Sequence, residues 1–475
     1  MSEPPASKSP TPRRALGPVE GASIVVGTVI GSGIFVTPAA IAGSLGSYGF
    51  GTILLVWIVA GLLSLAGALA YAELAAMFPR SGGQYVYLKE AYGPLWAFLF
   101  GWMEFWVARP GSIAALAVAF TDYLGEFVAL GPDQQRWAAF AAVAAFTLIN
   151  YVGVKTGGVT QVLFTAVKVG ALVALVIGAF VYPIGTPQNW QPFFSGSFGW
   201  ALLPAFGWAM LQSLWAFDGW ANGAAVSEEV RDPQRNVPRA LLFGTLAITG
   251  IYLAVNLAYH YVVPMAEVAS SKRVAATVAG TLLGPPGASL IAAAVMISTA
   301  GAVNGLLLTG PRIFYAMARD QLFFRQMGEL HLRFRTPHWS ILFQGAWAGL
   351  LILIPFGDFL NPLLGWEKDK KLFDQLITFV IFASWAFYGM TVAGVLVLRV
   401  RRPELERPYR AWGYPAVPLA FVLLSIAFVG YTLWTQPQEA LAGLFLVLLG
   451  LPAYWFWHPA RHHRHGPEPP RGAAR

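Results

Sequence analysis

Two ionisable side chains that could do chemistry, Lys168 and Asp218, lie in the middle of long apolar stretches of the sequence. If such stretches cross a membrane, an ionisable residue within them is costly and usually marks a substrate, ion or proton pathway. Glycine-rich interruptions occur in the same setting, at Gly31-Ser32-Gly33 and at Asp218-Gly219. A helix can unwind there, and its free backbone groups then need a polar partner, because lipid offers none. These residues therefore predict a polar ligand bound inside a membrane.

The composition indicates that membrane-spanning helices carry these residues. Hydrophobic residues make up 56% of the 475-residue chain and charged residues 11%, whereas soluble domains have about 25% charged residues. We therefore predict an all-α polytopic membrane protein. A spanning helix needs roughly 20 mainly apolar residues, and twelve such stretches occur, at residues 19–46, 49–78, 94–124, 136–153, 157–183, 200–228, 239–263, 284–316, 339–356, 373–400, 415–435 and 438–457.

The distribution of Lys and Arg predicts the orientation of these twelve transmembrane helices. Most basic residues lie in loops on the same side as both termini, and cytoplasmic loops are the ones enriched in Lys and Arg. We expect both termini in the cytoplasm and the chain in the inner (plasma) membrane. The basic residues are spread over short loops rather than gathered in one patch, which argues against a nucleic-acid partner.

The two glycine-rich interruptions fall in spans 1 and 6, five spans apart. Interruptions at matching positions of two five-helix halves are typical of inverted-repeat secondary transporters, whose site lies near the bilayer midplane. Close packing of helices through small residues is the alternative for either cluster taken alone. The matched spacing favours a 5+5 inverted-repeat core with helices 1 and 6 interrupted.

Ordered motifs along the chain resemble the amino acid–polyamine–organocation superfamily. They are Gly27–Phe35, Ala70–Leu74 and Pro79–Tyr85. Further motifs resemble the L-type amino acid transporter branch, namely Arg109-Pro110 after Glu104, Glu228-Glu229, Arg231–Pro238, and Asn304-Gly305 followed by Arg312. The resemblance covers about residues 15–430. It implies a prokaryotic amino acid transporter with a sodium/leucine symporter-like core that works by alternating access.

On this basis the chain divides into four parts. The first 18 residues are polar and Pro-rich, and are expected to form a disordered cytoplasmic tail. Residues 19–400 would form the inverted-repeat core of helices 1–5 and 6–10, and residues 401–457 helices 11 and 12. Residues 458–475 would form a basic cytoplasmic tail.

The resemblance implies that the two interruptions bind a zwitterionic amino acid. The N–H groups of Gly31-Ser32-Gly33 suit the α-carboxylate, as helix N-termini suit anions, and backbone carbonyls suit the α-ammonium. Trp215 lies where related transporters have an aromatic gate over the substrate, and core packing is the alternative for such a residue. The expected substrate-binding residues are Thr28, Val29, Ile30, Gly31, Ser32, Gly33, Trp215, Phe217, Asp218 and Gly219.

Three roles are open for Asp218. An Asp at a helix N-terminus can cap it, so this side chain can cap the second half of helix 6. It can instead contact a cationic substrate side chain, and relatives that accept dibasic substrates resemble this chain in having an Asp here. Its carboxylate can also titrate in proton coupling.

Lys168 lies too deep in its span to reach the membrane surface. In relatives a Lys at this point of helix 5 links the helix 1 interruption to helix 8, in the place that sodium fills in sodium-coupled members of the wider fold. Ser298 and Thr299 are the expected oxygen partners, and a plain structural salt bridge is the alternative. A lysine replacing the cation favours sodium-independent exchange over the alternative, proton- or sodium-coupled symport.

Other classes of function lack their sequence features. The chain has no Cys, which excludes thiol catalysis, thiolate metal sites and a disulfide-linked heavy chain. Neither a metalloprotease H-E-x-x-H motif nor a serine-nucleophile G-x-S-x-G motif is present, so a membrane-embedded enzyme is disfavoured, and no metal or cofactor is expected. Glu73, Glu104 and Arg109 are deep ionisable residues that we expect to form a structural network.

Overall fold

A computed structural model describes residues 11–196, 199–354 and 372–457, and this part of the chain is helical, without a β-strand. Residues 1–10 of the expected tail at 1–18, the expected tail at 458–475 and the end of the span at 339–356 lie outside the described residues. The α-helices are α1 Pro18–Val29, α2 Gly33–Leu45, α3 Phe50–Met77, α4 Gln84–Tyr92, α5 Pro94–Met103, α6 Arg109–Leu124, α7 Pro132–Val152, α8 Val154–Val181, α9 Leu202–Phe217, α10 Pro233–Val262, α11 Met265–Ser270, α12 Val274–Leu283, α13 Pro285–Arg319, α14 His338–Leu353, α15 Leu372–Arg401, α16 Ala416–Thr435, α17 Pro437–Leu448 and α18 Gly450–Trp457.

Eight helical stretches of the described chain are long and apolar enough to cross a membrane, so the prediction of an all-helical, multi-pass membrane protein is confirmed. They are Pro18–Tyr48, Phe50–Met77, Val154–Val181, Pro233–Val262, Pro285–Arg319, Val380–Arg401, Ala416–Thr435 and Pro437–Trp457. The other four expected spans coincide with shorter, less apolar or interrupted helices. Among these, α5 and α6 are joined by a π-helical turn at Glu104–Ala108.

The first span is interrupted where the glycines predict it. Helix α1 ends at Val29 and α2 begins at Gly33. Between them the Gly31 N–H bonds to the Val29 carbonyl at 2.7 Å instead of reaching back four residues. The regular ladder is therefore lost over one turn, and we call residues 27–33 the first break.

The second interruption follows α9, and we call residues 215–219 the second break. Asp218 is extended, with ψ 145°, and Gly219 has φ +108°, a left-handed conformation that glycine adopts at little cost. The chain continues as a 3₁₀-helix, Trp220–Glu229, rather than as the second α-helical half that the sequence suggested. Its small residues allow tight packing, since a Cβ on Gly223 would lie 2.6 Å from the Val25 side chain.

Packing places the first break at the centre of the molecule. Helix α1 packs against α8, α10 and α13, while α2 packs against α9. In the most apolar part of Pro18–Tyr48, 83% of residues are buried, against 22% in Pro437–Trp457. The interrupted span is thus enclosed by protein, as a helix with free backbone groups must be, and the last helices lie at the periphery.

Candidate functional site

The two breaks touch each other. A Cβ added to Gly33 would lie 2.7 Å from Cα of Ala216, and one added to Gly219 would lie 3.4 Å from the Thr28 carbonyl group. The Thr28 hydroxyl also reaches the Gly219 carbonyl at 3.3 Å. Glycine is required at position 33 because a larger residue would separate the two segments, and at position 219 because the backbone there has φ +108°.

Unwinding of helix 1 frees five consecutive carbonyl groups, and protein groups take up four of them. Lys168 Nζ donates to Gly27 and Ile30, at 2.9 and 2.6 Å. The Ser298 hydroxyl lies within hydrogen-bonding distance of the carbonyls of Ile30 and Gly31. The Val29 carbonyl accepts from the Gly31 N–H at 2.7 Å, and the Tyr252 hydroxyl lies 3.2 Å from it. Among the described residues no donor reaches the fifth carbonyl, that of Thr28, in the middle of the first break.

The start of α2 holds free donors. In the described part of the chain no acceptor is found for the N–H groups of Ser32, Gly33 and Ile34, while the Gly31 N–H is used within the break. Successive N–H groups at a helix N-terminus, aided by the helix dipole, form a ready anion site. The donor set is therefore shifted by one residue from the expected Gly31-Ser32-Gly33.

The second break contributes another free acceptor. The Trp215 carbonyl accepts from the Asp218 N–H at 3.0 Å, and the Ala216 carbonyl accepts from Tyr252 at 2.9 Å. No donor in the described chain reaches the Phe217 carbonyl. The ring of Phe217 packs on Tyr252 and Trp57 with centroids 5.0 and 6.2 Å apart, so this side chain belongs to the core. Trp215 is half-buried.

Asp218 does not cap the second half of helix 6. The 3₁₀-helix begins with Gly219 as its N-cap and has no side-chain capping bond. The Asp218 carboxylate instead accepts a hydrogen bond from the Tyr388 hydroxyl of α15 at 2.8 Å. The capping role was wrong because the chain turns through Gly219 in a left-handed conformation, and Gly219 rather than Asp218 takes the N-cap position, with no side-chain bond to the first turn of the 3₁₀-helix.

Lys168 is fully buried and its three N–H donors are all satisfied, by the carbonyls of Gly27, Ile30 and Ser298. It thus ties the first break to α13, and no acidic side chain in the described part of the chain pairs with it, so the alternative of a plain salt bridge is wrong. Ser298 contributes its backbone carbonyl to the ammonium rather than its hydroxyl. Thr299 does not contact Lys168, because its hydroxyl bonds to the carbonyls of Val295 and Met296 in its own helix.

The deep ionisable residues fall into two separate groups. Arg109 pairs with Glu104 and donates to Asn222 at 2.6 Å and Thr309 at 3.3 Å, which joins the π-helical turn to the 3₁₀-helix and α13. Glu73 lies elsewhere and binds Arg399 at 2.6 Å. The expected single network is therefore two networks.

A further buried pair lies near the N-terminal end of α1. Arg312 and Glu229 form two hydrogen bonds, at 2.8 and 3.0 Å, with side chains only 1% and 2% exposed. The Glu229 carbonyl in turn accepts from the N–H of Leu16 at 3.0 Å. This pair joins α13, the 3₁₀-helix and the segment before α1.

Sequence reasoning missed two tyrosines that organise the site. The Tyr252 hydroxyl of α10 lies within hydrogen-bonding distance of a carbonyl of each break, and Tyr388 donates to Asp218. Their spans are identifiable in the sequence, but the partners are distant in the chain, so only the packing of the helices brings them together. Within the described residues no group of His, Asp and Glu has the arrangement of a metal site.

Comparison with known proteins identifies the family of the chain. The sequence profile of the amino acid permease family matches residues 16–450. The b(0,+)-type amino acid transporter 1 of Homo sapiens is 34% identical over 95% of this chain and 89% of its own length. The serine/threonine exchanger of Bacillus subtilis is 32% identical over 93% and 96%, and the human large neutral amino acids transporter small subunit 2 is 33% identical over 93% and 80%.

These matches show that the chain belongs to the amino acid permease family of membrane transporters. Its similarity to transporters of the L-type branch extends over nearly the whole sequence. The chain is therefore a transporter and not an enzyme.

Proposed function

We propose that this protein exchanges L-amino acids across the inner membrane by alternating access, without a requirement for sodium. The observation that carries the proposal is the set of free backbone groups at the two breaks. Three adjacent N–H donors lie at the start of α2, and two carbonyl acceptors, of Thr28 and Phe217, lie on the facing segments. A zwitterionic amino acid has one carboxylate and one ammonium to match them.

Binding would use a narrower set of groups than the sequence suggested. The α-carboxylate would accept from Ser32, Gly33 and Ile34, where the helix dipole also favours negative charge. The α-ammonium would donate to the carbonyls of Thr28 and Phe217. Because these groups belong to the backbone, the Ser32 hydroxyl need not select the substrate.

Substrate choice would then depend on what faces the amino acid side chain. Trp215 is the proposed gate, and Asp218 is the nearby carboxylate. Similarity to a b(0,+)-type transporter, a serine/threonine exchanger and a large neutral amino acid transporter subunit supports neutral substrates. Asp218 extends the proposed substrate range to cationic amino acids, because a cationic side chain would neutralise a carboxylate held inside the protein.

Independence from sodium is supported by the Lys168 contacts. A sodium ion at this position would need the oxygens that the ammonium already occupies, those of Gly27, Ile30 and Ser298. The lysine side chain therefore takes the place of the ion and holds the first break against α13. Without a co-transported ion, exchange of one amino acid for another is the expected mode of transport.

We further propose twelve transmembrane helices, a 5+5 inverted-repeat core and cytoplasmic termini. The interruptions of the first and sixth spans and the excess of Lys and Arg on the side of the termini support this topology. The absence of Cys from the sequence means that these 475 residues form no disulfide with a heavy chain.

Proteoliposomes test the proposal. Purified protein would be reconstituted into vesicles that contain unlabelled amino acids or none, and labelled uptake measured in sodium and in choline buffer. We expect saturable uptake that needs internal amino acid and proceeds equally in both buffers. Uptake into empty vesicles driven by a sodium gradient would contradict exchange and favour the symporter alternative.

A further inference from the structure

One face of α8 presents a row of polar side chains to helix α1. Gln161, Thr165 and Lys168 follow each other at helical spacing, i, i+4 and i+7, so they lie on the same face. The carbonyls they meet, of Ser23, Gly27 and Ile30, have the same spacing on α1. We call these contacts the α8 row.

The three contacts of the row differ in strength. Lys168 makes charge-assisted bonds of 2.9 and 2.6 Å to Gly27 and Ile30, carbonyls that the first break has freed. The hydroxyl of Thr165 donates to the Ser23 carbonyl at 3.1 Å. The Gln161 amide lies 3.5 Å from the same oxygen, at the limit of a hydrogen bond.

Glycine at position 27 makes this close approach possible. A Cβ there would lie 2.1 Å from the Gln161 amide nitrogen and 2.3 Å from the Thr165 hydroxyl. The polar row and α1 are therefore in direct contact over this turn, with no room for a side chain between them. Removal of either polar group would change the contact itself.

A chain of amides fixes Gln161 in place. Its Oε1 accepts from the Asn304 amide of α13 at 2.8 Å, and the Asn304 Oδ1 accepts from Asn150 of α7 at 2.9 Å. All three side chains are fully buried. Helices α7, α8 and α13 thus form one unit whose surface holds the first half of helix 1.

We propose that Gln161 and Thr165 are positioning residues that form a releasable latch on α1, with Lys168 as the permanent pivot. Resting on the proposed alternating access, the latch closes the path on the side of the N-terminus. When the Ser23 carbonyl moves away from Thr165 and Gln161, it keeps the hydrogen bond within its own helix. Opening the latch therefore costs little, because water replaces two weak hydrogen bonds. Breaking the Lys168 bonds would instead leave carbonyls of the first break without a donor. The first half of helix 1 therefore rotates about its contact with Lys168.

The lack of Cys in the sequence allows a direct test with one reporter thiol. Ser23→Cys places a thiol at the half-buried latch position and leaves its backbone carbonyl intact. The protein would be placed in nanodiscs, where reagents reach both faces, and the rate of labelling by a water-soluble maleimide measured. Thr165→Val and Gln161→Leu would be compared with Thr299→Val, which removes a hydroxyl bonded only within its own helix.

We expect Thr165→Val to label about fivefold faster, the change for one net hydrogen bond, and Gln161→Leu to label faster by a smaller factor, because its contact with Ser23 is longer. Thr299→Val should label at the parent rate, and Thr165→Ser, which keeps the hydroxyl, should restore the slow rate. In oriented vesicles the apparent KM for substrate on the N-terminal side should fall while that on the other side rises.

Two results would overturn the latch. One is labelling that is unchanged in both latch variants, and the other is an equal acceleration in Thr299→Val, which would indicate general loosening. Amino acid exchange by the parent protein is measured in parallel. Its absence would refute the proposed function, whereas normal exchange with unchanged labelling would refute the latch alone.

Discussion

At the scale of single residues, most of the backbone carbonyl groups that the first break frees are bonded to other protein groups. Lys168, Ser298 and Tyr252 take up the carbonyls of four of the five residues 27–31. A buried backbone carbonyl without a donor is destabilising, so these side chains make the unwound turn tolerable. What remains free at Thr28 and at the start of α2 is what a substrate can use.

Gly33 is predicted to be far less tolerant of substitution than Gly31. The methyl group of Gly33→Ala would lie 2.7 Å from Cα of Ala216, so the two breaks would have to separate. Overpacking of this kind costs about 1–3 kcal/mol, and we expect amino acid affinity to fall at least about tenfold.

Gly31→Ala is the matched control, because its methyl group would first meet side-chain atoms of Leu116 and Ala302, at 3.3 and 3.6 Å, and the nearest backbone atom, the Val29 carbonyl oxygen, would lie 3.9 Å away, an ordinary contact. Calorimetric titration of both variants checks the difference. Equal affinity in the two variants would contradict the close approach of the breaks.

Asp218→Asn should weaken exchange of Arg and Lys far more than that of Leu or Ala. The amide oxygen can still accept the hydrogen bond from Tyr388, so the change removes mainly the charge. Loss of one partner of a buried pair typically costs about 3–5 kcal/mol. Competition assays with each amino acid measure the effect, and Tyr388→Phe serves as the control that keeps the carboxylate. An equal loss for all substrates would indicate a purely structural carboxylate.

At the scale of the helix, Lys168 is the residue that holds the first break to α13. In Lys168→Met the Gly27 carbonyl loses its donor, at a cost of about 1–3 kcal/mol for an unsatisfied buried group, and the carbonyls of Ile30 and Ser298 each lose one of their contacts. We expect lower thermal stability and loss of exchange. Lys155→Met, at an exposed position at the start of α8, should have neither effect. Normal exchange by Lys168→Met would show that the ammonium is dispensable.

The Arg312–Glu229 pair should contribute much more to stability than an exposed pair. Glu229→Gln leaves a buried guanidinium without its counter-charge, and breaking such a pair typically costs about 3–5 kcal/mol. Arg136 and Asp133, 3.6 Å apart with side chains 48% and 89% exposed, are the control. Arg136→Ala should change stability by about 0–1 kcal/mol. Chemical denaturation in detergent measures both, and similar values would refute the importance of the buried pair.

Much of this helical framework could be predicted from the sequence. The length of the apolar stretches gives the spans, and Gly31-Ser32-Gly33 and Asp218-Gly219 mark both breaks, because glycine is what an unwound, closely packed turn requires. The 3₁₀-helix after Gly219 was not predicted, since its small residues suit several helical forms. The free N–H donors are those of Ser32, Gly33 and Ile34 rather than those of Gly31, Ser32 and Gly33. This shift depends on the hydrogen bond from the Gly31 N–H to the Val29 carbonyl, which no periodicity in the sequence reveals.

Partners that come from different helices could not be predicted in the same way. Lys168 was expected near Ser298 and Thr299, which are adjacent in sequence but lie about 100° apart around a helix of 3.6 residues per turn. Only one of them can face α8, and the packing selects Ser298. The same limitation hid Tyr252 and Tyr388, whose partners lie on other helices.

At the scale of the whole molecule, the two breaks lie against each other among the packed helices, at the proposed substrate site, and ion pairs join helices near the N-terminal side. Arg312–Glu229, Glu73–Arg399 and Lys89–Asp320 join helices at that end. Alternating access requires these contacts to open while the unit formed by α7, α8 and α13 stays together. In the proposal, the latch at Thr165 opens, whereas Lys168 keeps the first break attached to the unit of α7, α8 and α13.

The central claim is that backbone groups at the two breaks recognise the α-carboxylate and the α-ammonium together. Its most direct test is the thermal stabilisation of the purified protein by a transported amino acid, its methyl ester and its N-acetyl derivative at equal concentration. The free amino acid at 100 times its Kd should stabilise the protein by about 2.7 kcal/mol, and each derivative, which lacks one charge, should stabilise it little. Equal stabilisation by all three compounds would contradict the account.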